Sequence, residues 1–495
     1  MPHLRIEDYA LIGDCETAAL VARNGSIDWL CWPRFDSPAC FASLLGTREH
    51  GHWQIAPADA NARVRRRYQP DTLVLETDFE TASGGFTLVD FMPIGEEGSD
   101  LVRTLVGRSG AVPVRMELVL RFDYGASVPW VSRLPDGRLR AIAGPDMVLL
   151  SSPVQVRGEK LTTVAEFEVR EGDRLSFVMM HTASHVQPPP PLDPEAALEK
   201  TLHHWREWAG HCSAGGEYAE PVRRSLLTLK ALTYSPTAGI VAAPTASLPE
   251  QLGGKRNWDY RYCWLRDATL TLLALMAGGY GGEARAWREW LVRAVAGSPS
   301  QMQIMYGLGG ERRLPEWEVP WLPGYMDSRP VRIGNAAAAQ LQLDVFGEVM
   351  DALYQARKAG IDAYGPAWGL QRALLDHLET VWDQPDEGIW EVRGPRRHFT
   401  YSKIMCWVAF DRAVKMVEQY GADGPVDRWR TLRGKIHEEV CRRGFDPARN
   451  AFVQSYDSTE LDASLLLIPI TGFLPAGDPR MVGTVRAIEH DLIEG

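Results

Sequence analysis

Apolar and polar positions alternate with a period of two from residue 1 to about 185, and turn-forming dipeptides punctuate the alternation. Asn24-Gly25 inside "AALVARNGSIDWLCW" predicts a two-residue type I′ hairpin. Ser83-Gly84-Gly85 separates "TLVLETDFET" from "FTLVDFMPI", and Ser109-Gly110 splits "LVRTLVGR" from "VPVRMELVLRF". Asp136-Gly137 and Gly172-Asp173 mark two more reversals. Many strands joined by tight turns, with no helical period between them, predict an antiparallel β-sandwich over residues 1–185.

The texture changes at Val186. Four consecutive prolines in "VQPPPPLDPEAALEK" cannot continue a sheet and form a stiff spacer, and Asp193-Pro194-Glu195 is a helix-starting signal. Residues 186–200 are therefore a Pro-rich linker and first helical turn, and 201–495 a helical domain with a period of 3.6. Leu198, Leu202, Trp205 and Ala209 share one face, as do Val222, Leu226, Leu229 and Thr233, and later Trp429, Leu432, Ile436 and Val440. "LRDATLTLLALMA" is apolar almost all round, as a buried inner helix is. Further helices are expected at 283–297, 334–358, 364–383, 400–419, 425–441, 459–470 and 479–493, about ten in all. Short connections near 211–217, 278–282, 359–363 and 420–424 alternate with long ones near 236–263, 298–333, 385–399 and 442–458. For antiparallel helix pairs in a ring, this alternation puts every long loop at one end, where a rigid scaffold carries its sites.

Composition narrows the class. A chain of 495 residues with 45% hydrophobic and 24% charged residues is globular and long enough for two domains. A net charge of -11 argues against a nucleic-acid partner. Of 17 tryptophans, 13 follow residue 200, which fits a large helical core, a carbohydrate cleft or both. The seven cysteines are scattered without a CxxC pair, so a reduced, cytoplasmic compartment is expected. "MPHLRIEDYA" has no apolar stretch of a signal peptide, and no apolar run is long enough to span a membrane. His50 with His52, and His203 with His204, lack a third ligand nearby, so neither a metal nor another cofactor is expected.

The chemistry gathers on the long loops. "DEGIWEVRGPRRHFT" (386–400) sets Glu391 beside the ring of Trp390, with Arg393, Arg396, Arg397 and His398 close behind. An acid at a loop mouth next to a stacking ring is what glycosidic-bond cleavage asks of a general acid, although alone it is also an ordinary surface glutamate. Arg266 and Asp267 open the apolar helix, as a structural ion pair or as a clamp for sugar hydroxyls. Trp258, Tyr260 and Trp264 supply stacking planes. Glu316-Trp317-Glu318 is either an outer subsite or a solvated loop.

"WDYRYCWLRDATL" together with "IWEVRGPRRHFTYSKIMCWVAFDRAV" resembles glycoside hydrolase family 15, the glucoamylase, glucodextranase and trehalase group. "IEDYALIGDCETAALVARNGSIDWLCWPRFDSPACF" and "LPGYMDSRPVRIGNAAAAQLQLDVFGE" resemble its bacterial trehalase-like branch, from about Ile6 onward. The resemblance implies a β-sandwich followed by an (α/α)6 barrel that cuts terminal α-glucosidic bonds with inversion. By motif it assigns Glu391 as general acid, Arg266 and Asp267 to the non-reducing glucose, and Trp390 to the ring beside the acid. Val392 stands where fungal glucoamylases carry a second acid, which leans away from a starch-type subsite. No "EEYDP"-like motif of the family's general base is found. The helix tally agrees, with about ten of the twelve helices of a closed ring, so a C-terminal truncation of about 100 residues is expected. Loss of the base would leave the hydrolase defective, and the open ring could pair into a homo-oligomer. Two other readings stay open: a phosphorylase, in which phosphate replaces the base and the three arginines would matter, and a non-catalytic sugar-binding relative.

Overall fold

Residues 9–183 form the predicted sandwich, and every strand pair in it is antiparallel. The computed structural model describes residues 4–95, 98–361 and 367–493. Its organiser is one 20-residue strand, Asp100–Val119. The first half pairs with Gly84–Phe91 and Arg174–Ala183, the second with His52–Pro57 and Thr162–Arg170, so this strand belongs to both sheets. Between the sheets lie Trp53, Ile55, Phe79, Phe86, Leu105, Met116 and Phe177, all buried. Each such side chain contributes roughly 1.5–3 kcal/mol when removed from water.

Two of the turn readings change. Ser109-Gly110 is not a reversal, because the strand runs through it. Gly110 is left-handed (φ 62), and a Cβ there would meet Ser83 O at 2.1 Å, so the glycine permits a close crossing between sheets. The Asn24-Gly25 hairpin exists but is not type I′. Gly25 N–H bonds Ala22 O at 3.0 Å, Gly25 takes φ 75, Asn24 stays out of the left-handed region, and the register slips between Leu20 and Val21. That is a type I turn with a glycine bulge.

After the prolines, Asp193 caps α1 (Pro194–Gly210) by accepting from the N–H groups of Glu195 and Ala196 at 3.0 and 3.4 Å. Ala197 and Leu198 pack on Val74, Phe91, Leu149 and Val178 of the sandwich, and α2 (Ala219–Ala231) follows. The chain divides into two units: Met1–Tyr262 with Ala277–Tyr280 and Pro315–Asn335, and Cys263–Met276 with Gly281–Leu314 and Ala336–Gly495.

The second unit carries α3 (Leu265–Ala277, all but its last residue), α4 (Gly281–Val295), α5 (Asp344–Lys358), α6 (Ala367–Val381), α7 (Thr400–Tyr420), α8 (Val426–Arg443), the one-turn α9 (Ile468–Thr471) and α10 (Pro479–Asp491). Ten α-helices among the described residues match the expected number. Buried side chains cover α5 and α7 nearly all round, whereas α8 buries only Trp429, Ile436 and Val440. Hence α5 and α7 are inner helices and α8 an outer one.

The helix expected over 334–358 starts only at Asp344. Residues 336–339 form a 3-10 turn, and the N–H groups of Leu341 and Leu343 go to the carboxylates of Glu387 and Asp386 at 2.8 and 2.9 Å. The helix expected over 459–470 is a 3-10 turn, Ala463–Leu467, followed by α9. Residues 364–366 of the expected 364–383 helix lie outside the described residues. The long connections hold short antiparallel ladders, such as Cys263–Trp264 with Met305–Tyr306 and Trp317–Glu318 with Arg332–Ile333. No helix among the described residues is long and apolar enough to cross a membrane.

Candidate active site

Glu391 sits on a tight turn held from several sides. Its N–H bonds Gly388 O at 3.1 Å, and the Val392 N–H bonds Glu387 O at 3.3 Å. Glu391 itself is left-handed (φ 55), a conformation that costs a non-glycine residue about 1–3 kcal/mol and that its surroundings must impose. Asp386 and Arg397 close the loop's base by exchanging two backbone hydrogen bonds at 2.9 Å. The segment 340–343 underlies it: besides the two side-chain bonds already noted, Glu387 N–H donates to Leu341 O at 3.0 Å and Gln340 Nε2 to Glu391 O at 3.4 Å.

The Glu391 carboxyl accepts a 2.5 Å hydrogen bond at Oε1 from the indole N–H of Trp264. Trp264 is 1% exposed, so it is not the stacking plane expected from the sequence; it acts through its N–H. Burial pushes the pKa of Glu391 up, while Arg266, the Trp264 bond and Arg393 pull it down and Asp267 pushes it up again; the balance stays above the ordinary carboxylate value. A carboxyl so biased keeps its proton to higher pH, which suits proton donation.

Arg266, at the start of α3, donates from Nη1 to Ile389 O at 2.8 Å and lies with Nη2 2.9 Å from Asp267 Oδ2. It thus ties α3 to the turn of Glu391 and is ion-paired with its neighbour. Burial alone would lower the pKa of its guanidinium, but Asp267, Glu391, Asp344 and Glu348 around it push the value up. Asp344 and Glu348 stand one turn apart on α5, both buried, and the Tyr401 hydroxyl on α7 donates to Glu348 Oε1 at 2.9 Å. Burial first, then neighbouring acids, push Asp344 up to about 7 and Glu348 to about 8. Burial likewise raises Asp386 to about 6.

Trp390 is 48% exposed and gives its indole N–H to both carboxylate oxygens of Asp462 at 3.0 and 2.9 Å. Asp462 also caps the turn 463–467 through Ser464 N–H at 2.8 Å. Of the arginines behind the acid, Arg396 bonds Glu387 at 3.0 Å and Arg397 lies 3.6 Å from Glu460.

The other candidates belong to the first unit. The Arg332 guanidinium lies 4.7 Å from the ring centre of Trp258 and within 3.7 and 3.6 Å of the Glu316 and Glu318 carboxylates. The two acids flanking Trp317 thus share one cation. Trp317 and Trp321 are each 39% exposed with ring centres 6.1 Å apart. Tyr260 is half-buried, and its carbonyl accepts from Ala243 N–H at 2.9 Å. The charged residues that alternate with Trp258 and Tyr260 turn inward: Asp259 and Arg261 form a fully buried 2.7 Å ion pair.

Glu391, Arg266, Asp267 and Trp390 therefore share the second unit, and the first three form one electrostatic cluster. Sequence reading missed Asp344, Glu348, Tyr401 and Asp462. The signal for the first two was present in "LDVFGEVM", where acids four apart interrupt an apolar helix.

The family model for Glycosyl hydrolases family 15 matches residues 216–494, and that for the Trehalase-like, N-terminal domain matches 2–191. A trehalase of Mycolicibacterium smegmatis is 38% identical over 528 residues, spanning 100% of this chain and 78% of that protein. A trehalase of Thermoplasma acidophilum is 35% identical over 96% of this chain and 82% of its own length. Trehalase 1 of Sulfolobus acidocaldarius is 34% identical over 99% and 83%. Among solved structures, a bacterial glucoamylase complexed with acarbose superposes with a TM-score of 0.73 over 99% of this chain and 79% of its own, at 12% identity, a likeness of fold. A helical unit that starts in the "WDYRYCWLRD" segment and a sandwich of the trehalase-like type place the chain, as a glycoside hydrolase enzyme, in glycosyl hydrolases family 15.

Proposed function

We propose that this chain hydrolyses the α-glucosidic bond of trehalose with inversion, Glu391 delivering the proton to the departing sugar oxygen. The observation that carries the reading is the setting of the Glu391 carboxyl: imposed on a left-handed turn, hydrogen-bonded by Trp264, and kept above the ordinary carboxylate pKa by burial. Such a group is a better acid catalyst near neutrality than an exposed glutamate, a contribution of roughly 10²–10⁴ in rate. Arg266 and Asp267 then offer donors and an acceptor to the hydroxyls of a terminal glucose, and the half-exposed ring of Trp390 a stacking surface. On the first unit, Trp258, Tyr260 and Trp317 are read as sugar-contacting rings and Glu316 and Glu318 as hydroxyl acceptors. Similarity to proteins named trehalase supports reading trehalose, and not longer α-glucans, as the substrate of this chain.

Inversion needs a second carboxylate to activate water. Asp344 and Glu348 are closed to solvent and hold protons near neutrality, so neither suits that task. Seven free thiols favour the cytoplasm as the working compartment. The test follows trehalose by proton NMR at early times. One α- and one β-glucose per trehalose supports inversion; two α-glucoses would refute it. Glucose 1-phosphate formed only with phosphate would make the enzyme a phosphorylase, and binding without turnover would make it a sugar-binding relative.

A further inference from the structure

We propose that Asp344 and Glu348 are positioning residues, a proton-holding acid pair that seats Arg266 and, through Arg266, the turn presenting Glu391. This rests on the reading of Glu391 as the acid. The two carboxyls project from the same face of α5, one turn apart, and the residues are 2% and 5% exposed. Both carboxyls lie within electrostatic reach of Arg266, which donates to Ile389 O, two residues from Glu391. The side chains of the pair are therefore linked to the catalytic turn through the Arg266 guanidinium, alongside the bonds that residues 340–343 make to the same loop.

Charge counting shows why protons must reside here. One guanidinium faces four carboxyls, those of Asp267, Glu391, Asp344 and Glu348. Were all four ionised, an enclosed cluster would carry a net charge of about -3, which burial does not tolerate. Protons then settle on the most enclosed acids. Asp344 Oδ1 has no hydrogen-bond partner among the described residues, so an ionised Asp344 would leave a bare buried oxygen anion. Glu348 accepts at Oε1 from Tyr401, which leaves Oε2 to carry its proton. Burial and mutual repulsion hold the two acids at about 7 and 8. The other titratable or charged neighbours are Asp351 on α5, Asp386 and Glu391 on the loop, and Tyr401 and Cys406 on α7; from α6, His377 meets Phe346 and not the pair.

While the pair is neutral, the Arg266 charge serves Asp267, Glu391 and the Ile389 carbonyl. Once it ionises, the guanidinium is drawn toward α5 and the anchor of the turn weakens. Activity should then fall on the alkaline side for a reason separate from deprotonation of Glu391.

The experiment compares the parent with Glu348→Gln and Asp344→Asn, isosteres of the protonated acids. Each should keep kcat at pH 6 within about threefold and KM within about twofold, yet retain at least about threefold more of its optimum activity at pH 8.5 than the parent. Glu348→Leu should lose at least about tenfold in kcat, with a smaller rise in KM because Arg266 also meets the sugar. Alkaline limbs that coincide for all three proteins would overturn the proposal. A second arm needs no turnover. In protein carrying ¹³C-carboxyl glutamate, the Glu348 signal, identified by its loss in Glu348→Gln, should stay protonated well above pH 6. Titration at an ordinary glutamate value would overturn the pair even in an active enzyme. High titration in a parent that does not cleave trehalose would instead count against the acid role of Glu391.

Discussion

Trp264 Nε1 and Glu391 Oε1 lie 2.5 Å apart, and this bond joins a fully buried indole at the end of a short ladder to a carboxyl on a left-handed turn. An N–H donated to a carboxylate favours its charged form, so the bond limits how far burial raises the Glu391 pKa. Replacing Trp264→Phe removes the donor and keeps most of the ring. The expected result is an alkaline limb shifted to higher pH, with kcat reduced about 10–100-fold by loss of orientation. A pH–rate profile of the variant checks both. An unmoved limb would show that the indole does not tune the acid.

Stability should fall as pH rises through neutrality. Asp344, Glu348 and Asp386 have folded-state pKa values of about 7, 8 and 6, above the roughly 4 of an unfolded acid. Raised values mean that the folded state prefers the protonated forms. Their stabilising contribution is complete below about pH 4 and is lost as pH climbs through about 6 to 8. Thermal melts of Glu348→Gln should therefore decline less between pH 5 and 8.5 than those of the parent. Parallel curves would contradict the burial of ionisable carboxyls here.

Asp462 holds the Trp390 ring by its indole N–H and caps the following 3-10 turn. Asp462→Ala should cost about 1 kcal/mol of stability from the cap. It should also raise KM severalfold while changing kcat less, because Trp390 is assigned to binding. A selective fall in kcat would place Trp390 nearer the chemistry than proposed.

Gly347 marks a close approach of α5 to α7. A Cβ there would lie 2.3 Å from Met405 O and 2.8 Å from the carbonyl carbon, both backbone atoms that cannot swing aside. Gly347→Ala should destabilise by about 1–3 kcal/mol, visible as a lower Tm. Because Asp344 and Glu348 flank this position on α5, activity should fall with it. An unchanged Tm would mean that the two inner helices can separate freely.

Periodicity made the two architectures legible. The four-residue spacing of Ile436 and Val440 reflects one buried face, which the chain writes locally; the strand Gly84–Phe91 is buried on both faces, and the glycines before it mark where it starts. Pairing between distant segments is not written that way. Nothing near Gly110 distinguishes a strand crossing between sheets from a turn, since both need a residue tolerant of positive φ. "GNAAAAQLQL" carries strong helix formers, yet the N–H groups of Leu341 and Leu343 are claimed by Glu387 and Asp386 on a loop distant in sequence. Glu391 and Arg266 could be singled out because unusual chemistry clusters on their loops. Asp344 and Glu348 left only a weak signal, because an acid pair at helical spacing is usually solvated, and the packing that buries this one, Tyr401 of α7 among it, is not written locally.

The central claim is that the Glu391 carboxyl is the proton donor. Steady-state hydrolysis of trehalose by Glu391→Gln, with trehalose affinity measured alongside by calorimetry, puts it to the test. The account predicts a loss of roughly 10²–10⁴-fold in kcat with affinity within a few fold of the parent. Turnover within tenfold of the parent would contradict it, and the search for the donor would then turn to another acid.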